Sequence, residues 1–271
     1  MYNLLLTING QELNLDMSHG YVISTVDGLT GVNSRLDTVQ AANGIGEAYT
    51  GGTVQGQTIT IRGKILDHNV EAKQALIDTA VPLGEGTLTV LDDRSGQSGR
   101  VTPYRTIDVV VRTTPQIAQV EHSKFTLTLY APSPIWYAAE RETITLENTL
   151  SVPFVNDGQV PAEYELRAMT IDAATSIYLY LDGVSANNQF LHLDLTKYDS
   201  GGVAGSIKFG RDKGTVYLHV YNNDAMECIS LDSTLWYLPV GEHTLTLRTD
   251  ARVAATLTFA TPYVGVVLNG L

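Results

Sequence analysis

Residues 57–83 constrain this chain more than any other stretch, because an alternating strand runs straight into its single convincing helical segment. In QTITIRGKIL, Ile59, Ile61, Gly63 and Ile65 share one face, and Thr58, Thr60, Arg62 and Lys64 share the other. That is the period-2 pattern of a half-buried strand. The following DHNVEAKQALIDTAVPLG predicts a helix over 69–80. Asp67 or Asn69 can cap it, good helix formers fill it, and Pro82 with Gly84 ends it. Nearly all the rest reads as strand and turn. One helix in a long β chain is a packing plug for an open sheet, so the expected fold is mainly β with one helix.

Asn9-Gly10 between two apolar-rich runs predicts a type I′ hairpin at the start of the chain. A strand over 19–30 is broken by Asp27-Gly28, and 33–42 reads as a further strand. The glycine-rich segment 42–56 reads as a long mobile loop or an extended hairpin. GTLTVLDD, a strand over 104–113 and SKFTLTLYA follow, giving roughly seven strands and one helix. Pro132 and Pro134 cannot sit in a central strand, so the sheet ends there.

A chain of 271 residues exceeds the usual single core. Two domains are expected, 1–136 and 137–271. The second is all β, with short strands such as EYELRAMTI, SIYLYLDG, FLHLDLT, TVYLHVYNN, CISLD and HTLTLRTD at regular spacing. Such spacing predicts a β-sandwich or jelly roll.

Composition narrows the function classes. No apolar run approaches the roughly 20 residues of a membrane helix, so no membrane insertion is expected. MYNLLLTINGQEL lacks the basic start and apolar length of a signal peptide, so synthesis in the cytoplasm is expected. The one cysteine, Cys228, allows no intrachain disulfide and reads as a small buried hydrophobe. The net charge of −12 offers no footprint for gripping nucleic acid. The acidity is uneven, with 9 Lys/Arg against 13 Asp/Glu in residues 1–136 and 8 against 16 in residues 137–271.

Catalytic constellations are missing. The six histidines, at 19, 68, 122, 192, 219 and 243, form no metal-binding spacing. Gly44-Ile45-Gly46 lacks the third glycine and the helix of a nucleotide-binding turn. Ser98 lacks the strand–turn–helix context of a nucleophile elbow. Asp92 and Asp93 are adjacent and point opposite ways on a strand end. No enzyme activity, metal or cofactor is expected.

Tyrosine outnumbers phenylalanine by 14 to 5, which suits surfaces that are both apolar and hydrogen-bonding. Tyr178, Tyr180, Phe190, Tyr217 and Tyr221 either line a face where a sugar could stack or form core and cross-strand pairs. The alternation with Leu179 and Leu181 favours the second, with both faces buried. Ile135-Trp136-Tyr137 is a large apolar cluster at the domain boundary. It wedges between the domains or docks on a neighbouring chain.

The order of these segments resembles the distal tail proteins of long, flexible-tailed bacteriophages. In the first half the resemblance rests on Ile59, Ile61, Gly63 and Ile65 before the helix, then Phe125, Ala131, Pro132, Ser133, Pro134 and Trp136. In the second half it rests on Val155, Asn156, Gly158 and Pro161, and on Leu238, Pro239, Gly241, His243 and Leu245. Ser133 stands where the family more often has an acidic residue, and His243 where it has Asn.

The resemblance implies a structural hub of the phage tail tip, located in the virion. It implies a homo-hexameric ring built by an N-terminal β-sandwich or split-barrel-like domain, with galectin-like or jelly-roll sandwiches outside. Implied partners are the tail tube protein above and a tail-associated hub, fibre or receptor-binding protein below, with DNA passing the channel without specific binding. The candidate assembly residues are Tyr49, Thr58, Thr60, Arg62, Lys64, Ile135, Trp136 and Tyr137. Segment 42–56 is expected to order on assembly, with Tyr49 as anchor. The alternative reading is a carbohydrate-binding module that recognises a cell-surface glycan through the second domain.

Overall fold

The computed structural model describes residues 3–30, 33–40, 47–92, 102–118, 123–184 and 189–266. Gly44, Ile45, Gly46, Asp93, Ser98 and His122, weighed above, lie outside the described residues. The chain divides into two compact units, Met1–Glu140 with Tyr263–Leu271, and Arg141–Pro262. It therefore crosses between units twice, where the sequence pattern places one boundary near 137 and keeps the last residues with the second domain.

The first unit opens with a hairpin of β1 (Asn3–Ile8) and β2 (Gln11–Leu15), followed by β3 (Tyr21–Asp27). β4 (Ser34–Gln40), β5 (Glu47–Val54) and β6 (Gln57–Ile65) lead to α1 (Val70–Thr79). β7 (Glu85–Asp92), β8 (Thr102–Ile117), β9 (Ser123–Ala131) and the short β10 (Trp136–Ala138) complete the run. Asn9 and Gly10 both have positive φ, 50° and 80°, as a type I′ turn requires.

Seven strands pair in the order β2-β1-β7-β8-β9-β6-β3, and β10 lies beside β8. The end strands β2 and β3 are consecutive in sequence and joined only by residues 16–20. The Asp16 carboxylate caps that link, accepting from the His19 backbone N–H at 3.0 Å. So short a link between opposite ends of the path curls the sheet back on itself. The sheet is thus less open than the sequence alone implies.

Inside the curl, Ile59, Ile61 and Ile65 have no exposed surface and share one core with Leu4, Leu6, Phe125, Leu127 and Leu129. Gly63 interrupts the isoleucine stripe for a steric reason. A Cβ there would lie 2.7 Å from the Val22 carbonyl oxygen and 2.8 Å from the Phe125 ring. Asn69 caps the helix, its Oδ1 accepting from Ala72 N–H at 3.0 Å. Asp67 instead takes a left-handed turn before it. The helix buries Ala72 and Leu76, and the Tyr21 hydroxyl donates to the Ala72 carbonyl at 2.6 Å. Burial pushes the Tyr21 phenol up to about 12.

In the second unit, β11 (Glu142–Leu146), β12 (Ser151–Asn156), β13 (Tyr164–Thr170), β14 (Ser176–Leu181) and β15 (Phe190–Asp194) come first. β16 (Ser206–Asp212), β17 (Thr215–Val220), β18 (Asn223–Asp224), β19 (Gly241–Thr249) and β20 (Val253–Phe259) follow. They form a six-stranded sheet, β11-β20-β13-β16-β17-β18, and a four-stranded sheet, β12-β19-β14-β15. Leu166, Ala168 and Leu257 from the first meet Leu179, Leu193 and Leu247 from the second in one core, a two-sheet sandwich. Pro153 sits within β12, which is tolerated because β12 is an edge strand. The expected strand CISLD is a 3-10 turn, Met226–Cys228, followed by a loop that runs beside β15, bridging Ile229 to Leu193 and donating Ser230 and Thr234 N–H to the His192 and Phe190 carbonyls. Cys228 is fully buried.

The last strand, β21 (Pro262–Tyr263), pairs with β10 and returns the chain to the first unit. There the Arg105 guanidinium lies 3.6 Å from the Tyr263 ring centre and donates to the Gly265 carbonyl at 2.9 Å. Val266 is 1 % exposed and donates its N–H to Leu29 O at 2.8 Å.

Candidate functional site

Thr58, Thr60, Arg62 and Lys64 emerge on the face of β6 opposite its buried isoleucines, and Arg62 and Lys64 are exposed. β6 lies between β9 and β3, so these residues belong to a sheet face and not to a sheet edge. Arg62 pairs with Asp27 on β3. Arg112 on β8 donates to the Thr58 hydroxyl at 3.2 Å. Lys64 stands directly opposite Lys124 on β9. Within an acidic chain, this face gathers Arg62, Lys64, Arg112 and Lys124.

Ile135, Trp136 and Tyr137 separate from one another. Trp136 has no exposed surface and belongs to the core of the first unit, so it is not available to a neighbouring chain. Ile135 and Tyr137 remain half-buried. The proline pair next to them ends β9, but the chain then adds β10 to the same sheet, which draws the indole inward.

Segment 47–54 is a strand. β4 and β5 pair with each other in register from Ser34–Val54 to Gln40–Glu47, with one slip between Asp37 and Thr38. Among the described residues they pair with no other strand. Leu36, Val39 and Val54 on this ribbon are 63 %, 57 % and 57 % exposed. Tyr49 lies opposite Thr38 on it. A two-stranded ribbon with apolar side chains in water is marginal by itself, and its free edges are templates for another chain.

In the second unit the five aromatic residues separate into two groups. Tyr178, Tyr180 and Phe190 lie together on the outward face of the four-stranded sheet, with His192 and Arg248. The His192 ring stacks on Tyr178 at 4.1 Å, and Asp232 lies 3.4 Å from His192 Nδ1. Tyr178 and Tyr180 are half-exposed, so the two faces of β14 are not both buried as the alternation with leucine suggests. Tyr217 lies on the other sheet, and Tyr221 in the turn that follows β17.

That second face holds a cavity of about 700 Å³, lined among others by Thr145, Arg167, Lys208, His219, Asn222 and Thr256. Beside it, the Glu165 carboxylate receives Tyr217 Oη at 2.6 Å, Lys208 Nζ at 2.9 Å and Arg167 Nε. Burial alone would raise the Glu165 pKa; the bonds from Tyr217, Lys208 and Arg167 outweigh it and hold the carboxyl at about 2. The Tyr217 phenol is pushed up by burial and by the same carboxylate.

Asn156, Gly158 and Leu238, three of the residues that carry the resemblance in the second half, form a latch. Asn156 is fully buried; its Nδ2 donates to the Val160 and Leu238 carbonyls, and its Oδ1 accepts from Gly158 N–H. Among the described residues no group of three His, Cys, Asp or Glu side chains is placed to hold a metal ion.

Solved structures share this architecture. The SPP1 Dit protein, a paradigm of the hub adsorption apparatus in phages that infect Gram-positive bacteria, superposes with a TM-score of 0.70. It is 15 % identical, over 96 % of this chain and 98 % of that one. A chain of the phage P2 baseplate, in its activated conformation with calcium, superposes with a TM-score of 0.54 at 8 % identity, over 98 % and 99 % of the two chains. No protein-family model and no curated protein matches the sequence. At these identities the likeness is one of fold, and it extends across both units.

Proposed function

We propose that this chain is the distal tail hub protein of a long-tailed bacteriophage, a structural component of the virion tail tip and not an enzyme. The observation that carries the reading is the end-to-end match of both units, in order, to the SPP1 hub protein. The first unit builds a hexameric ring that joins the tail tube to the tail-associated, fibre or receptor-binding protein. DNA leaves through the ring's channel without specific binding.

The first unit supplies physical grounds for ring closure. The β4–β5 ribbon has free edges and exposed Leu36, Val39 and Val54. Docking it on the next copy buries that apolar surface in a head-to-tail contact, which closes into a circle when repeated with the right rotation. The polar face of β6, with Thr58, Thr60, Arg62 and Lys64, is the second candidate contact. Ile135 and Tyr137 remain half-exposed candidates, whereas Trp136 serves the fold.

Negative-stain images and native mass of the purified chain test this. Rings with a central hole are expected. A monomer at every concentration, both alone and with tail tube protein, would overturn the hub reading. Deleting residues 34–54 is expected to leave folded subunits that form no rings; rings of normal yield would remove the ribbon from the interface.

A further inference from the structure

We infer that neighbouring copies of this chain are matched by charge. The basic outer flank of the first unit's sheet, with Arg62, Lys64, Arg112 and Lys124, docks on the acidic outer flank of the next copy, with Glu12, Glu85 and Asp108. This names the partner of the polar β6 face and rests on the ring reading above.

Strand pairing separates the two signs. On β6 and β9 the side chains that alternate with the buried ones include Arg62, Lys64 and Lys124, and none of them is acidic. Arg112 on β8 extends this flank through its bond to Thr58, and Asp27 at its border is engaged by Arg62. On β2, β1 and β7 the side chains that alternate with the core include Glu12 and Glu85, and among the described residues none is basic. Glu12 stands opposite Thr7, Thr7 opposite Thr87, and Thr87 opposite Asp108, so one row of paired residues carries a carboxylate at each end. Either way round the curled sheet, at least two strands stand between β6 and β1, so the flanks face away from each other. A head-to-tail ring needs two unlike surfaces on opposite sides of every copy. This sheet supplies them with opposite sign.

Lys64 and Lys124 give an independent indication. They stand directly opposite each other and both are exposed, an arrangement that repels in an isolated subunit. Carboxylates of a neighbour set over the pair replace that repulsion with attraction. Between the charges both flanks carry short hydrogen-bonding side chains, Thr60, Thr126 and Thr128 on one, Thr7, Thr87 and Thr106 on the other. Two such faces can approach closely, and their hydroxyls donate or accept across the contact. Duplex DNA also offers anions, yet it leaves the acidic flank without a role.

The test uses two charge-reversed full chains, one with Lys64→Glu and Lys124→Glu, the other with Glu12→Lys and Glu85→Lys. Native mass and negative-stain images read the ring yield. Each variant alone should form rings at about a tenth of the parent yield, with no loss of thermal stability, because like charges then meet at every contact. Mixed in equal amounts the two should recover rings. In an even-membered ring they alternate, so reversed flanks meet reversed flanks and parent flanks meet parent flanks. Parent-like yield from either variant, or no recovery on mixing, would overturn the charge matching and leave the hub reading standing. A parent chain that never forms rings would overturn both. A short DNA duplex bound by the parent and lost in the lysine variant, with rings unaffected, would assign the basic flank to DNA instead.

Discussion

Asn156 Nδ2 lies 3.1 Å from the carbonyl oxygen of Leu238, 82 residues further along the chain, and neither residue has exposed surface. The amide ties the end of β12 to the segment ahead of β19, while its oxygen closes the turn at Gly158. Asn156→Ala removes all three bonds from a dry site and is expected to cost about 1–3 kcal/mol. Asn156→Asp keeps the Gly158 bond but sets a carboxylate against two carbonyls, and should cost more. Urea midpoints of the two variants provide the comparison; equal values would contradict this account.

Lys64 and Lys124 face each other across β6 and β9 with both side chains exposed. Like charges directly opposite on a sheet repel, so Lys124→Glu should stabilise the isolated chain by about 0.5 kcal/mol. The gain should shrink as salt is added. Thermal denaturation at low and high ionic strength checks both statements. If this face meets an acidic partner in the assembled tail, the same variant should assemble less well.

Gly63 is the one position of the β6 core stripe where no side chain fits. Gly63→Val drives methyl groups into the Phe125 ring and the Val22 carbonyl, and should cost at least about 1–3 kcal/mol. Pairing it with Phe125→Ala should recover part of the loss of packing space. A double-mutant cycle reporting strict additivity would show that the two residues do not compete for that space.

Glu165 sets a pH dependence for the second unit. Its carboxyl is held at about 2, below its ordinary 4.5, so the unfolded chain binds the proton more readily. The contribution is therefore complete above about pH 5 and is lost as the pH falls toward 2. Glu165→Gln should be less stable than the parent at pH 7, and the gap should narrow steadily below pH 5. Melting curves over this interval read it directly; a gap that stays constant would mean that the carboxylate's bonds contribute nothing.

What the sequence reveals here depends on how local the cause is. The β6 alternation, the Asn9-Gly10 turn and the α1 segment follow from neighbouring residues, and the structure shows all three. The choice between Asp67 and Asn69 as cap does not, because it turns on the backbone angle at Asp67. β12 escapes notice because Pro153 masks its pattern, and only its position at an edge makes the proline tolerable. Trp136 reads as a wedge between domains or an anchor for a neighbouring chain until β10 is seen to rejoin the sheet and draw the indole into the core of the first unit. The cavity residues Arg167, Lys208 and His219 are alternate positions on three strands, unremarkable singly and brought together only by the pairing of β13 with β16 and β16 with β17.

The second unit enters and leaves through adjoining strands. Glu142 pairs with Phe259, and Thr261 Oγ1 donates to Glu142 at 2.9 Å. The unit is in effect an insertion whose two ends are fastened on the same side. A mechanical pull on it is divided between two covalent tethers, one of them gripped by Arg105 through Tyr263 and Gly265. The same layout makes the sandwich exchangeable: a module with neighbouring termini can be spliced between 140 and 262 while β21 still pairs with β10.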